Sequence, residues 1–329
     1  MNMSNENLPQ INFYIPQKYW PSTGIPASID DYHLTSDSEI IEGKYFWTLQ
    51  TFLYLKKFNF PCKLTNVVPS DGIIIAHRDF LPSKLVPNSK QVFVCIKADR
   101  DKHPFAQLHI VQNPNDDLDF MWQRHYLPHW PQGRLIPRDG KREDRFENIA
   151  YLGSEYELAQ EIKGSSWEKQ LCSLGLTWHL VTEKNRWNDY SYVDAILAVR
   201  SFDKNNTYNH KPASKLFNAW LAGVPAVLGC ESAYREEGKN GVDYIEVSKV
   251  EEAIFALKHL KDDITFRHLI VKGCLNQAEQ INPEQIVEKW QKFLIKKAIP
   301  EYDKWTKDSS LKRGIFLLKR LYLYKKGLL

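Results

Sequence analysis

The residues best suited to chemistry fall into two groups, the first of them in the stretch 209–229, "NHKPASKLFNAWLAGVPAVLG". Ser214 reads as a helix N-cap and Lys215 as the first helical residue, while Gly223 ends the helix and Pro225 blocks its continuation. Free N–H groups at such a helix start attract an anion. Lys215 would add one full charge there, and Arg200, at the end of the apolar run "AILAVR", a second. Asn218 follows on the same face, placed to hydrogen-bond a neutral polyol beside the anion. A diphosphate next to a ribose has that layout. A capped amphipathic helix, with Leu216, Ala219, Trp220 and Ala222 packed and Lys215 and Asn218 in water, gives the same local pattern.

The second group follows three apolar runs in the first half of the chain. After "GIIIA" come His77, Arg78 and Asp79; after "QVFVCI" come Lys97, Asp99 and Arg100; after "LHIV" come Gln112 and Asn113. Strand ends turn polar for solvation alone, but an imidazole and two carboxylates gathered there suit the polarising or deprotonating of a hydroxyl. His77 and Asp99 are the candidate catalytic groups, with Arg78, Arg100 and Asn113 as candidates for holding an acceptor.

Short apolar runs alternating with helical patterns must position these residues, which is the α/β arrangement. Strands are predicted at 11–16, 62–68, 72–76, 91–97 and 108–112, then at 148–153, 177–182, 195–200, 225–229 and 243–247. Helices are predicted at about 43–58, 165–173, 214–222, 249–260, 263–279 and 283–298. Residues 127–147, rich in proline, glycine and charge, read as the boundary, with a linker at 131–147. Two doubly wound domains, 1–130 and 148–300, would then face each other across a cleft, with ligands outside the carboxyl ends of their strands.

At 329 residues the chain is long enough for two cores, and 43 % apolar residues fill them. A net charge of +4 falls far short of the basic excess of a nucleic-acid-gripping protein. Five widely spaced cysteines without a CxxC pair fit reduced thiols. With no signal-like start and no long apolar span, a cytoplasmic location is expected.

The run "KPASKLFNAWLAGVPAVLG", followed by "GVDYIEVSKVEEAIFAL", resembles the donor-binding half of GT-B fold glycosyltransferases, with their K-L-x-x-A-x-x-x-G-x-P-x-V segment. The resemblance is close over about residues 190–260 and looser in the two-domain layout. It implies two Rossmann-like domains, the first binding an acceptor and the second a nucleotide-diphosphate sugar. Arg200 and Lys215 would lie on the diphosphate and Asn218 near the ribose, with Ser214 and Lys211 in the same donor-binding set. It implies transfer of a sugar to an acceptor hydroxyl in polysaccharide, glycolipid or cell-envelope glycan synthesis, without a metal or other cofactor. Many retaining members carry two glutamates seven residues apart around this loop, where Lys211 and Asn218 stand here. The Lys-x-x-Asn-Ala arrangement also resembles inverting fucosyltransferases, so stereochemistry stays open. A nucleotide-sugar epimerase of the same fold and a non-catalytic scaffold subunit are the alternatives.

Other signals are weaker. "DDLD" at 116–119 contains Asp-x-Asp but sits in an Asn-Pro-Asn loop, and Pro128 interrupts the zinc-like spacing of His125 and His129. No GxGxxG fingerprint points to a redox enzyme. The tail "LKRGIFLLKRLYLYKKGLL" has six basic residues, no acid and interleaved apolar ones. As a helix over 301–329 it would either meet an anionic membrane, as suits a lipid-linked acceptor, or pack back on the first domain.

Overall fold

The computed structural model describes residues 8–34, 42–116 and 122–327, so Asp117 and Asp119 of the Asp-x-Asp stretch lie outside it. The chain forms two compact units. The first holds the chain up to Gln112, Asp116–Pro128 and everything from Pro283 on; the second holds Asn113–Asn115 and His129–Asn282.

In the first unit, strands β1 (Ile11–Tyr14), β2 (Lys63–Thr65), β3 (Gly72–His77), β4 (Gln91–Ile96), β5 (Leu108–Val111) and β6 (Gln123–Tyr126) form one parallel sheet of order β2-β1-β3-β4-β5-β6. β3 and β4 are buried along their whole length, which is why they read as unbroken apolar runs. β6, "QRHY", was not expected from the sequence, because an edge strand exposed in part carries a polar pattern. Helix α1 (Ile29–Leu34) precedes a longer helical run of α2 (Gly43–Tyr45), a π turn (Phe46–Gln50) and α3 (Thr51–Lys57).

The second unit has a five-stranded parallel sheet of β7 (Asn148–Leu152), β8 (Thr177–Val181), β9 (Ala195–Ala198), β10 (Ala226–Leu228) and β11 (Ile245–Glu246), ordered β11-β10-β9-β7-β8. Around it lie α4 (Gly164–Ser173), α5 (Ser214–Ala222), α6 (Ser232–Glu237), α7 (Val250–Asp262) and α8 (Ile264–Ala278). α5 ends as expected at Gly223, whose φ of +67° is the left-handed geometry that glycine tolerates. α5 packs on α8. Gly273 of α8 lets the 242–243 backbone come close, since a Cβ there would lie 2.1 Å from the Val242 carbonyl oxygen.

Residues 131–147 are not a free tether, as their composition suggested. Asp194, with no side-chain exposure, accepts from Arg138 Nε at 3.0 Å, from Arg142 Nη2 at 2.6 Å and from the N–H groups of Glu147 and Asn148 at 2.9 Å. Burial alone would raise the Asp194 pKa, but these donors together hold it below the ordinary value. The segment therefore belongs structurally to the second unit.

The chain then returns to the first unit through α9 (Pro283–Phe293), a π turn (Leu294–Ala298), α10 (Ile299–Lys307) and α11 (Ser310–Lys325). The division thus differs from the expected 148–300 domain and separate tail. Hydrophobic burial explains it: Trp290 of α9 is fully buried, with ring centroids 6.2 Å from Phe13 and 6.5 Å from Trp47. Trp305 of α10 donates to the Asn88 carbonyl at 2.8 Å.

Candidate functional site

In the second unit the strand order reverses direction between β7 and β9, and such a switch opens a crevice at the carboxyl ends of the two strands. The residues leaving those ends form a compact charged cluster. After β7 come Gly153 and the turn carrying Glu157; after β9 comes Arg200; after β10 comes Glu231. Arg200 Nε donates to Glu157 Oε2 and its Nη1 to Glu231 Oε2. Lys211 Nζ donates to Glu157 Oε1 at 2.9 Å.

Lys215 differs from the other two cations. Its Nζ donates to the neutral carbonyl of Leu152, and among the described residues it makes no ion pair. The ammonium lies 5.3 Å from the Tyr151 ring centroid and 5.5 Å from that of Trp187. Burial, aided by the nearby Arg200 charge, pushes Lys215 down from 10.5 to about 8. Gly153 makes room for it, because a Cβ there would stand 2.8 Å from Nζ.

The two carboxylates are pushed in opposite directions. Burial would raise Glu157, but Arg200 and Lys211 overcome it and hold that carboxyl at about 2. Burial wins at Glu231, whose pKa is raised despite Arg200, and its buried Oε1 has no hydrogen-bond partner among the described residues. Arg200, Lys211 and Lys215 against Glu157 and Glu231 leave a net positive site. The start of α5 adds to it: Ala213, not Ser214, is the N-cap, and its side chain offers no cap to the first N–H groups. Ser214 is instead the first helical residue, a correction to its expected role.

The loop leading to Lys211 is held in a strained form. Tyr208 has a φ of +49°, a conformation that costs a non-glycine residue about 1–3 kcal/mol. Asn113 stabilises it from below, its Nδ2 donating to the Lys211 carbonyl at 3.0 Å, to Ser232 Oγ at 2.9 Å and, more weakly, to the Tyr208 carbonyl at 3.4 Å. Asn113 was expected to meet an acceptor from the first domain. It lies within the second unit with no exposure, and its amide is spent on two backbone carbonyls and Ser232 Oγ. Asn218 likewise departs from the expected polyol contact: it is buried, and its Oδ1 accepts the Gln132 N–H at 2.9 Å. Glu157, Glu231 and Gly153 are the members that sequence reading missed; a glycine directly after the "NIAYL" strand was the signal for the last.

The first unit gathers its own cluster beyond β3 and β4. Arg100 Nε meets Asp79 Oδ1 at 3.1 Å and its Nη1 meets Asp99 at 3.4 Å, all near the surface. His77 is buried beneath them and caps a short helical turn, its Nδ1 accepting the Asp79 N–H at 3.2 Å. Burial pushes the imidazole down to about 4 against the opposing pull of Asp79. With Nδ1 occupied as an acceptor, the proton sits on Nε2, so the ring lacks the free lone pair of a base. Arg78 turns back on its own loop, to the Leu81 carbonyl at 2.8 Å and Ser83 Oγ at 2.6 Å. Asp79 and Asp99 are exposed to a similar degree, and both carboxylates of this group reach solvent.

No family model matches the chain, and no curated protein does. Solved structures do. HepE of Anabaena, in complex with UDP and glucose, superposes with a TM-score of 0.50 at 11 % identity, over 87 % of this chain and 99 % of that one. The chain has the GT-B fold. Fainter likenesses to the GT-B proteins sucrose-phosphate synthase of Thermosynechococcus elongatus (TM-score 0.48, 11 % identity, 74 % of this chain and 75 % of that) and lipopolysaccharide outer core galactosyltransferase WaaB (0.44, 13 %, 76 % and 81 %) accompany it.

Proposed function

We propose that this chain is a glycosyltransferase whose second unit binds a nucleotide-diphosphate sugar and whose first unit presents an acceptor hydroxyl. The observation that carries the reading is the net positive cluster of Arg200, Lys211 and Lys215 at the β7/β9 switch point, beside the uncapped start of α5. Negative charge accumulates on a departing diphosphate as the glycosidic bond breaks, so fixed cations and N–H dipoles there favour the transition state over the ground state. Lys215, which makes no ion pair among the described residues, is the cation with most to give an incoming phosphate. If the reaction inverts, Asp99 is the favoured base on the first unit, since His77 holds its accepting nitrogen in a cap.

HepE was solved with UDP and glucose, which makes UDP the first nucleotide to try. The test is a thermal-shift screen with UDP-, GDP-, ADP- and CMP-sugars, because a ligand at a hundred times its Kd adds about 2.7 kcal/mol of stability. A rise in Tm with one nucleotide series, lost in Lys215→Ala, is expected. No rise with any of them refutes the donor-site reading. Transfer to an acceptor, against acceptor-free isomerisation or no turnover, then separates a transferase from an epimerase or a scaffold subunit.

A further inference from the structure

Helix α11 has two faces of opposite character, and only one of them is used by the fold. The inner face carries Arg320, buried, its guanidinium 4.0 Å from the Trp122 ring centroid and 5.0 Å from that of Phe316. Phe316 meets Trp305 at 5.2 Å and Tyr324 meets Phe105 at 6.3 Å. Ser309 caps the start by accepting the Lys312 N–H. The helix is thereby fixed to the first unit, beside Phe105 and Trp122, which precede β5 and β6.

On the outer face, Leu311, Ile315, Leu318 and Tyr322 follow one another at helical spacing and are 72, 45, 66 and 61 % exposed. This apolar row is about 16 Å long at 1.5 Å per residue. Lys312, Lys319 and Lys326 run along one border, at angles close to the row, and Lys325 stands on the other. Lys312 pairs with Asp308 at 3.5 Å, but from Ser309 to Gly327 there is no acidic residue. A soluble protein gains nothing by holding four large apolar side chains in water in a single line. Long lysine stems beside such a row reach headgroup phosphates while the row enters the acyl boundary.

We infer that the outer face of α11 is a docking surface for an anionic lipid bilayer, with Leu311, Ile315, Leu318 and Tyr322 inserted and the flanking lysines on the lipid phosphates. The surface goes beyond the sugar-transfer reading and does not depend on it. Anionic charge is what the lysine border selects, and each basic residue near such a surface is worth about fivefold in partitioning.

Flotation of the full chain with vesicles of phosphatidylcholine, with and without phosphatidylglycerol, tests this. Deleting the helix would uncover Trp122 and Phe105, so point variants on the exposed face are used instead. The full chain is expected to float only with the anionic vesicles. Ile315→Glu with Leu318→Glu, and separately Lys319→Glu with Lys326→Glu, should each lower the bound fraction tenfold or more with unchanged circular dichroism. Equal flotation with both vesicle types, flotation with neither, or retention by the apolar variant overturns the inference. So does a dimer in light scattering that the apolar variant dissociates, since the row would then be covered by a second copy.

Discussion

Replacing Lys215 by methionine should make the protein more stable and its nucleotide binding weaker at the same time. The ammonium is confined beside Gly153, Tyr151 and Trp187 with only a neutral carbonyl as acceptor, and its pKa falls from 10.5 to about 8. The folded protein therefore releases this proton before the unfolded chain does. Between about pH 8 and 10.5 the unfolded state binds more protons, so stability rises with pH there, and below pH 8 the full penalty of keeping the charge is present. That interval is worth about 3 kcal/mol, of which the lost hydrogen bond to Leu152 returns about 1 kcal/mol on mutation. Lys215→Met should thus unfold at higher denaturant concentration than the wild type at pH 7, and the gap should close toward pH 10. Binding runs the other way. A charged hydrogen bond to a diphosphate is worth about 1.5–3 kcal/mol, so the variant should bind UDP about ten- to a hundredfold more weakly by calorimetry at pH 7.5. Wild-type affinity should also fall above pH 8 while that of the variant stays flat. A variant that is less stable at pH 7, or that binds UDP as tightly as the wild type, would refute the reasoning.

Three further outcomes follow from the same geometry. Glu157→Gln removes an internal anion from Arg200 and Lys211 and should tighten UDP binding about fivefold, as expected for one charge near a partly buried phosphate; weaker binding by calorimetry would make Glu157 a positioning residue for Arg200 instead. Asp194→Asn leaves Arg138 and Arg142 without their shared carboxylate and should cost about 3–5 kcal/mol in urea unfolding at pH 7. Because the folded pKa of Asp194 is depressed, its contribution is present above the ordinary carboxyl value and is lost as pH falls through the folded one, so the two proteins should converge in acid. Gly273→Ala drives a methyl into the Val242 carbonyl and should lower Tm by several degrees in calorimetry; an unchanged Tm would mean that the 242–243 backbone yields freely.

Most strands were legible because buried parallel strands read as apolar runs, as "GIIIA" and "QVFVCI" do. β6 was hidden by its position at a sheet edge, and α6 by its shortness. The segment 131–147 looked like a linker because proline, glycine and charge mark one, but two of its arginines are spent on Asp194, a residue that nothing local connects to them. The return of α9 to the first unit depends on Trp290 meeting Phe13 and Trp47, contacts too distant in sequence for any periodicity to register. Within the charged cluster, Arg200 and Lys215 stand out in the sequence because charge after a strand and at a helix start has a local signature. Asn113 and Asn218 misled for the opposite reason: an amide beside a charged loop serves a ligand or a backbone equally well, and only burial decides.

The division of the first unit between both ends of the chain sets an order on its making. As the polypeptide emerges from the ribosome, the second unit, continuous from His129 to Asn282 apart from three residues, is fully available while the first still lacks α9. Until Trp290 arrives, Phe13 and Trp47 have one of their main aromatic partners missing. The half that begins the sequence is therefore the half that finishes folding, and a stall in synthesis before Pro283 would leave its apolar surface exposed to chaperones while the second unit is already complete.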